Sequence, residues 1–389
     1  MKKITVIALI ALMSFSVFAY STQYLEKAPF NYDLKGFVPQ EVSSTNYINH
    51  ALYEDPTTLK NGKFSIMLPS LSVTHFNTSG FLKTSEGSVF LSNLLKFKFN
   101  ELNLVSALYA TIQNFGVGTN ALVNLDGGFG FAGKNWAFGV NARALVENNS
   151  ASGAGTDSDF FPQADAAATF AYNINFIDNN SLSLDLGIAA RFAYRTRVVN
   201  AIDVGTLENF DFSAISFKAG WAVPVDVTLA ARILDGKVGL ILSGTNLNGY
   251  YYMKNYENLE KAITMNGGTD ATTVYTPWSL NAAVELNPQW KAVNPKLRVE
   301  FAGIYSLFAD KDVDNELLSH LNVRADVDIL KIINLNVANN AGYWQFGAGV
   351  GIAGNTVSVL YGWHEAGAKL GYKPVDTLTF SVKLGYNGN

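Results

Sequence analysis

The chain has 389 residues, of which 48% are hydrophobic, 13% aromatic and only 15% charged, with a formal net charge of −4. Soluble domains average about 25% charged residues, so this chain is charge-poor; it is too apolar for disorder, and no basic stripe is present to neutralise nucleic-acid phosphates. Cysteine is absent, which excludes disulfides, thiolate metal sites and a cysteine nucleophile.

Met1–Ala19 reads as a secretory signal. Lys2 and Lys3 form its positive end, Ile4–Met13 its apolar core, and Val17 and Ala19 stand at the −3 and −1 positions. A membrane anchor is the weaker reading, because the apolar run is short and Ser14 and Ser16 interrupt it. No later run reaches the roughly 18 apolar residues of a spanning helix. An exported, apolar chain without helical spans points to the outer membrane, where a closed barrel satisfies its backbone in lipid.

Tyr20–Gly62 shows little periodicity and carries Pro29, Pro39 and Pro56, so an irregular N-terminal segment is expected over residues 20–62. Phe64, Ile66 and Leu68 then alternate up to Pro69, after which the phase shifts to Leu71 and Val73; a bulge is expected there. In Ser88–Ile112 the apolar residues recur at helical spacings, from Leu91, Leu94 and Leu95 to Leu108 and Ile112. A helical segment over about 88–114 could be a packed hairpin or a plug inside a barrel, and the sequence leaves both open.

From Asn120 onwards alternation of period two dominates, the spacing of a strand whose side chains leave opposite faces. Trp136–Val146, Ala166–Phe176, Leu182–Tyr194, Ile215–Ile233, Val238–Leu242, Trp278–Leu286, Leu297–Leu307, His320–Leu330, Ile333–Val337, Phe346–Ile352, Val357–Trp363 and Leu378–Tyr386 all follow it. Asn148–Phe161 reads as a loop, Asp235-Gly236 as a hairpin turn and Pro224 as a kink. Tyr250–Met265 breaks the pattern and reads as a long loop with a short helix, extended by Asn266–Thr273. The expectation is all-β: an antiparallel up-and-down transmembrane barrel of about fourteen strands, range 12 to 16, in a single domain over residues 20–389.

Opposite the apolar rows stand Arg143, Arg191, Arg195, Asp226, Arg232, Arg298, Glu300, Arg324, Asp326 and Asp328. An Arg or Lys facing lipid at mid-membrane costs about 2–4 kcal/mol, so these residues are expected to line the lumen. There they form either an ion-paired filling or a solute path. Arg298 and Glu300 should lie near Arg324, Asp326 and Asp328 across a hairpin. Trp136, Tyr194, Trp221, Trp278, Trp363 and Tyr386 fall towards strand ends, where interfacial aromatics belong.

Other motifs argue against catalysis and cofactors. The four histidines, His50, His75, His320 and His364, show no zincin spacing, and no Ser–His pairing singles out His320. Leu125–Gly130 is glycine-rich but lies between strands, so a hairpin is preferred to a phosphate cradle. Asp310–Glu316 lacks the central glycine of an EF-hand and reads as a solvated turn. No metal or cofactor is expected. The expected partners are the bilayer and small or hydrophobic solutes, with a homotrimer as the porin analogy.

Three stretches also resemble a known group: Asn61–Phe76 (NGKFSIMLPSLSVTHF), the helical Ser88–Ile112, and Val359–Tyr386 with its VLYGWHEAGAKLGY and FSVKLGY runs. The chain looks like the broad group of outer-membrane barrels related to FadL and TraF-like proteins. That resemblance implies a barrel of about fourteen strands, an N-terminal plug and uptake of hydrophobic compounds. The Asn-Pro-Ala motif common in that group is missing, with Asp55-Pro56 the nearest match, and the chain ends on Asn389 rather than an aromatic residue. The alternative, from another class, is a structural envelope protein with a closed, ion-paired lumen.

Overall fold

A computed structural model describes residues 44–96, 98, 118–150, 158–179, 181–199, 202–203, 215–275, 278–290, 292–303, 320–340, 342–352, 354–365 and 374–387. The signal segment, the Asp310–Glu316 turn and most of the second half of the helical stretch lie outside these residues.

Helix α1 (Ser44–Tyr53) and a 3-10 turn (Pro56–Asn61) precede β1 (Ser65–Phe76), which leads into α2 (Thr78–Leu82) and α3 (Ser85–Leu95). Four long strands follow: β2 (Gly118–Gly133), β3 (Trp136–Ser150), β4 (Ser158–Asp178) and β5 (Leu182–Val198), then the two-residue β6 (Ile202–Asp203). Next come β7 (Phe217–Ala222), β8 (Val225–Ile233), β9 (Val238–Leu247), β10 (Tyr250–Tyr256), helix α4 (Leu259–Thr264), β11 (Thr269–Tyr275) and β12 (Ser279–Leu286). The chain finishes with β13 (Val293–Phe301), β14 (Leu321–Ile329), β15 (Ile333–Asn340), β16 (Tyr343–Ile352), β17 (Asn355–Glu365), β18 (Pro374–Lys383) and β19 (Gly385–Asn387).

All pairings are antiparallel, and together they close. β5 pairs with both β7 and β8, so these are two halves of one stave broken at Pro224. β9 and β10 answer them, as do β11 and β12, and β1 spans both β18 and β19. With β6 only an extension beside β4, fourteen staves form a closed barrel, as expected. The seam joins Leu71 to Val382 and Ser65 to Asn387. The register of β1 against β2 slips between Met67 and Ser70, around Pro69.

Alternation explains which way each side chain points. On β14 the inward row holds Arg324, Asp326 and Asp328, exposed by only 9, 3 and 6%. Outward residues are apolar and bare around the barrel: Phe170 50%, Leu240 53%, Val284 45%, Val350 50% and Phe380 48% exposed. Such a continuous apolar exterior has no stable place in water and fits the hydrocarbon of a bilayer. No helix among the described residues is long and apolar enough to cross a membrane.

The connections divide by end. Short connections join β2 to β3, β4 to β5, β8 to β9, β12 to β13, β14 to β15 and β16 to β17 at one end, whereas most connections at the other are longer. Asp235 and Gly236 both adopt positive φ, 56° and 80°, as a tight hairpin turn requires.

Three expectations need correction. Part of the segment read as irregular, Ser44–Tyr53, is helical, and Pro56–Asn61 is a 3-10 turn nucleated by Asp55, whose side chain accepts from Thr57 N. Of Asn148–Phe161, read as a loop, the first three residues belong to β3 and the last four to β4, because β3 runs to Ser150 and β4 starts at Ser158. Tyr250–Tyr256 and Thr269–Tyr275 are strands rather than loop. Their alternation is hidden because α4 folds over the outer wall and buries Ala219 and Tyr256, and the Tyr194 hydroxyl donates to Ala262 O.

Candidate functional site in the barrel lumen

α1 and the 3-10 turn lie inside the barrel, at its short-turn end. Ile48, Leu52, Tyr53 and Leu59 pack on Met67, Ala132, Ala137, Ala171 and Ala189, all inward positions of β1 to β5. Small wall residues make room for the backbone. A Cβ added at Gly187 would stand 2.7 Å from Pro56 Cβ and 2.8 Å from Thr57 N, and one at Gly139 would stand 2.5 Å from Leu52 Cδ1. The Asn135 amide at the β2–β3 turn donates to Leu59 O at 2.8 Å.

Polar side chains anchor this insert on separate staves. The Tyr53 hydroxyl donates to Asn141 Oδ1 on β3 at 2.6 Å. Arg232 of β8 donates from Nη2 to Asp55 Oδ2 at 2.6 Å and from Nη1 to Thr57 Oγ1 at 2.8 Å. Lys60 reaches Asp178 Oδ1 at 2.5 Å and Ser183 Oγ at 2.9 Å. Glu54 lies 2.9 Å from His50 Nδ1 in a turn of α1.

The charges of α1 respond to this setting. Burial would raise the Glu54 carboxyl, but its bond to His50 and the charges of His50, Arg324 and Arg298 outweigh it and hold it at about 2. Asp55 is likewise lowered: burial opposes the change, and Arg232 drives it. His50 is raised, since Glu54 and Asp55 overcome the opposing effect of burial. Burial pushes Tyr53 up to about 12, against the hydrogen bond from Thr169 and the charge of Arg191.

All ten charged residues picked out in the sequence project inward. Arg191 makes a two-pronged pair with Asp226, with Nη2 to Oδ1 at 2.9 Å; their side chains are 1 and 5% exposed. Asp226 also accepts from Asn246 N at 2.6 Å. Arg195 donates from Nε to Asp165 Oδ1 at 2.6 Å, and its guanidinium lies 4.7 Å from the Tyr251 ring centroid. Arg143 is buried directly opposite Asp165 on the neighbouring stave.

Pairing around the β13–β14 hairpin differs from the simple cross-strand picture. The register sets Arg298 against Arg324, like against like, and Glu300 against Asn322. Arg298 therefore turns to Glu300 along its own strand at 2.6 Å and to Glu285 of β12 at 2.8 Å. Arg324 takes Asp326 at 2.8 Å, and Lys296 reaches across the hairpin to Asp328, 3.4 Å away. The negative charge of Glu54, felt by both arginines, eases their juxtaposition.

The sequence reading missed Glu54, Asp55, Lys60, Asp165, Glu285 and Lys296. Alternation would have found the last three, which stand at inward positions of β4, β12 and β13, with Lys296 in the same row as Arg298 and Glu300. The first three carried no periodic signal. His320 lies at the rim, its Nδ1 2.9 Å from Ala302 O. Among the described residues no three His, Cys, Asp or Glu side chains gather as metal ligands.

The aromatic residues fall into two sets on the outer wall. Trp136 and Tyr386 sit at the short-turn end, 37 and 57% exposed. Trp221 lies level with Tyr194 and Tyr252 on adjacent staves, its ring 6.1 Å from Phe192 and 5.0 Å from Tyr252. Trp278 and Trp363 are half-buried, and Trp363 packs edge-on to Tyr361 at 5.1 Å towards the opposite end. α2 and α3 also sit at that end: Ser79 donates to Asp376, and Phe81 packs on His75 and Phe90. Of the expected helical stretch, Ser88–Leu95 is thus seen at the rim; α3 does not enter the short-turn end that α1 occupies.

No family model matches the sequence, and no curated protein matches it. Solved structures of similar architecture include the Ralstonia pickettii toluene transporter TbuX, at 9% identity and a TM-score of 0.44, covering 92% of this chain and 99% of that one. A Pseudomonas aeruginosa FadL homologue matches at 8% identity and 0.40, covering 87 and 94%. The CymD monoaromatic hydrocarbon channel matches at 8% and 0.42, covering 87 and 92%. The barrel described above rests on its own strand register.

Proposed function

We propose that this chain is an outer-membrane channel for small or hydrophobic solutes, closed at its short-turn end by an N-terminal plug that moves aside for passage. The observation that carries the reading is a helix seated in the lumen of a closed barrel and tied to separate staves by charged or polar side chains. Ionic anchors can exchange for water as the plug leaves, so release does not require a large apolar core to be torn open. Conductance in planar bilayers tests it: rare steps from the intact chain, and frequent, larger ones once Ser44–Asn61 is deleted. Uptake by liposomes of a polar sugar against a hydrophobic solute then distinguishes the two solute classes.

A second reading is a structural envelope protein with a filled lumen. The fully buried Arg191–Asp226 and Arg195–Asp165 pairs favour it, because they bind wall to wall rather than wall to water. Electrical silence from both the intact and the plug-deleted protein would decide for this second reading.

A further inference from the structure

Most short turns of a membrane barrel are expected to be polar, yet here several are not. Leu234, Trp290, Leu330 and Ile332, from three turns at the short-turn end, and Ile352, the last residue of β16 there, are exposed by 60, 63, 65, 44 and 65%. By contrast the β4–β5 turn carries Asp178, Asn179 and Ser181. We propose that the turns between β8 and β17 are immersed in the near leaflet of the membrane, with these five side chains in lipid; this rests on the reading of the outer wall as lipid-facing.

Stave length supports the inference. The outward row of β14 runs from Leu321 to Ile329, and that of β16 from Trp344 to Ile352. At about 3.3 Å per residue and a tilt of about 40°, each row covers roughly 20 Å along the membrane normal, short of the roughly 25 Å apolar band of such barrels. At the foot of β14 the turn residues Leu330 and Ile332 make up the difference, and on β16 the bare Ile352 carries the apolar row to the very end of the strand. β4, with Phe170, Tyr172 and Phe176 outward, extends over Ser158–Asp178 and does not need its turn in lipid.

Backbone conformation supplies an independent argument. Leu330 and Lys331 occupy the two central positions of a tight turn, with φ of 51° and 57°, and Ile332 N donates to Ile329 O at 3.0 Å. Leu234 also has a positive φ, 56°. Asn, Asp or Gly is the usual occupant of that conformation, and a branched apolar residue there costs conformational free energy. Neither leucine recovers that cost by burial within this chain, since both are mostly bare. Transfer into hydrocarbon would recover it. The apolar wall also runs into the turns without a polar break, through Val293 and Ile333, 43 and 41% exposed. Lys237 and Lys331, exposed in the same turns, can extend to headgroup phosphates.

Because the chain has no cysteine, each introduced thiol is unique. The full-length variants Leu330→Cys, Ile352→Cys, Val284→Cys and Ser181→Cys are labelled with bimane, reconstituted in phospholipid liposomes, and checked for heat-modifiable gel mobility. Quenching by aqueous iodide is compared with quenching by nitroxide-bearing phospholipid. Labels at 330 and 352 should be quenched by iodide at least about threefold less than the label at 181, and by nitroxide lipid much like the one at 284. Iodide quenching at 330 and 352 equal to that at 181, with 284 still in lipid, overturns the inference and leaves the barrel reading intact. An iodide-accessible label at 284 overturns both.

Discussion

Replacing Glu54 with Gln tests the plug most directly. The carboxyl keeps its place in the turn but loses the charge that faces His50, Arg298 and Arg324. Its titration at about 2 instead of 4.5 corresponds to roughly 3 kcal/mol of preference for the charged form in the seated plug. Removing that preference should lower the ratio of seated to unseated plug by about two orders of magnitude. The readout is amide hydrogen exchange of Ser44–Tyr53 in the reconstituted barrel. Exchange of those amides should accelerate by up to about a hundredfold in E54Q, while amides of the β2–β5 wall stay as they were. Arg298→Gln should produce a similar change, and the double variant should add little to either single one. An E54Q protein whose α1 amides exchange within about threefold of the parent would refute the idea that this charge holds the plug. Conductance alone would not suffice as a readout, because a lumen blocked higher up stays silent wherever the plug lies.

The pH profile should follow from two opposite titrations. Glu54 is lowered, so its contribution is present above about 4.5 and lost as pH falls towards about 2; His50 is raised from 6.5, so its contribution is present below 6.5 and lost as pH rises through its raised value. Protection of the α1 amides, taken relative to their intrinsic exchange rate at each pH, is therefore greatest between roughly pH 4.5 and 6.5, and a monotonic protection profile would contradict the pairing. Gly187→Ala should loosen the seat, because the new methyl meets Pro56 and Thr57 below 3 Å; a cost of about 1–3 kcal/mol is expected, measured by faster exchange at residues 56–61. Arg191→Met should cost about 3–5 kcal/mol by stranding Asp226, read as a lower temperature for the gel-mobility shift. Adding Asp226→Leu to it should recover most of that loss. Lys substituted for Leu242 on the outer wall should cost about 2–4 kcal/mol in refolding into liposomes, and a neutral result would argue against lipid contact there.

The barrel was legible because a bilayer outside and water or ion pairs inside write opposite chemistry on alternate residues. His320–Leu330 shows this plainly, with Val323 and Val327 outward and Arg324, Asp326 and Asp328 inward. Legibility failed wherever a third layer covered the wall. Beneath α4, outward Ala219 and Tyr256 are as buried as inward residues, so β10 lost its contrast and read as loop. The plug was illegible for a different reason. α1 carries mostly Ser, Thr, Asn and Tyr, with Ala51 and Leu52 as its strong helix formers, and it is stabilised by the cavity it fills. Its trace lies in the wall instead: Ala137, Gly139, Ala171, Gly187 and Ala189 stand on inward rows where polar residues would otherwise meet water. A run of small inward residues at one end of several staves signals an occupied lumen. Pair geometry at the β13–β14 hairpin needed the register itself, since one residue of shift decides whether Arg298 faces Arg324 or a carboxylate.

The seam also dictates an order of assembly. Ser381 donates to Ser72 at 2.8 Å and the hydroxyls of Thr74 and Thr379 meet at 2.8 Å, joining residues more than three hundred positions apart. Contacts of such separation form late, because the entropy of closing the chain must be met before they stabilise anything. Residues 44–61 leave the ribosome among the earliest, yet their anchors Asn141, Ser183 and Arg232 belong to strands synthesised far later. Until those staves stand around it, α1 has neither its alanine floor nor its arginines, and a segment of its composition and length has little helical stability alone. A segment early in the sequence is therefore the last to take its shape, and its seating can serve as the signal that the ring around it is complete.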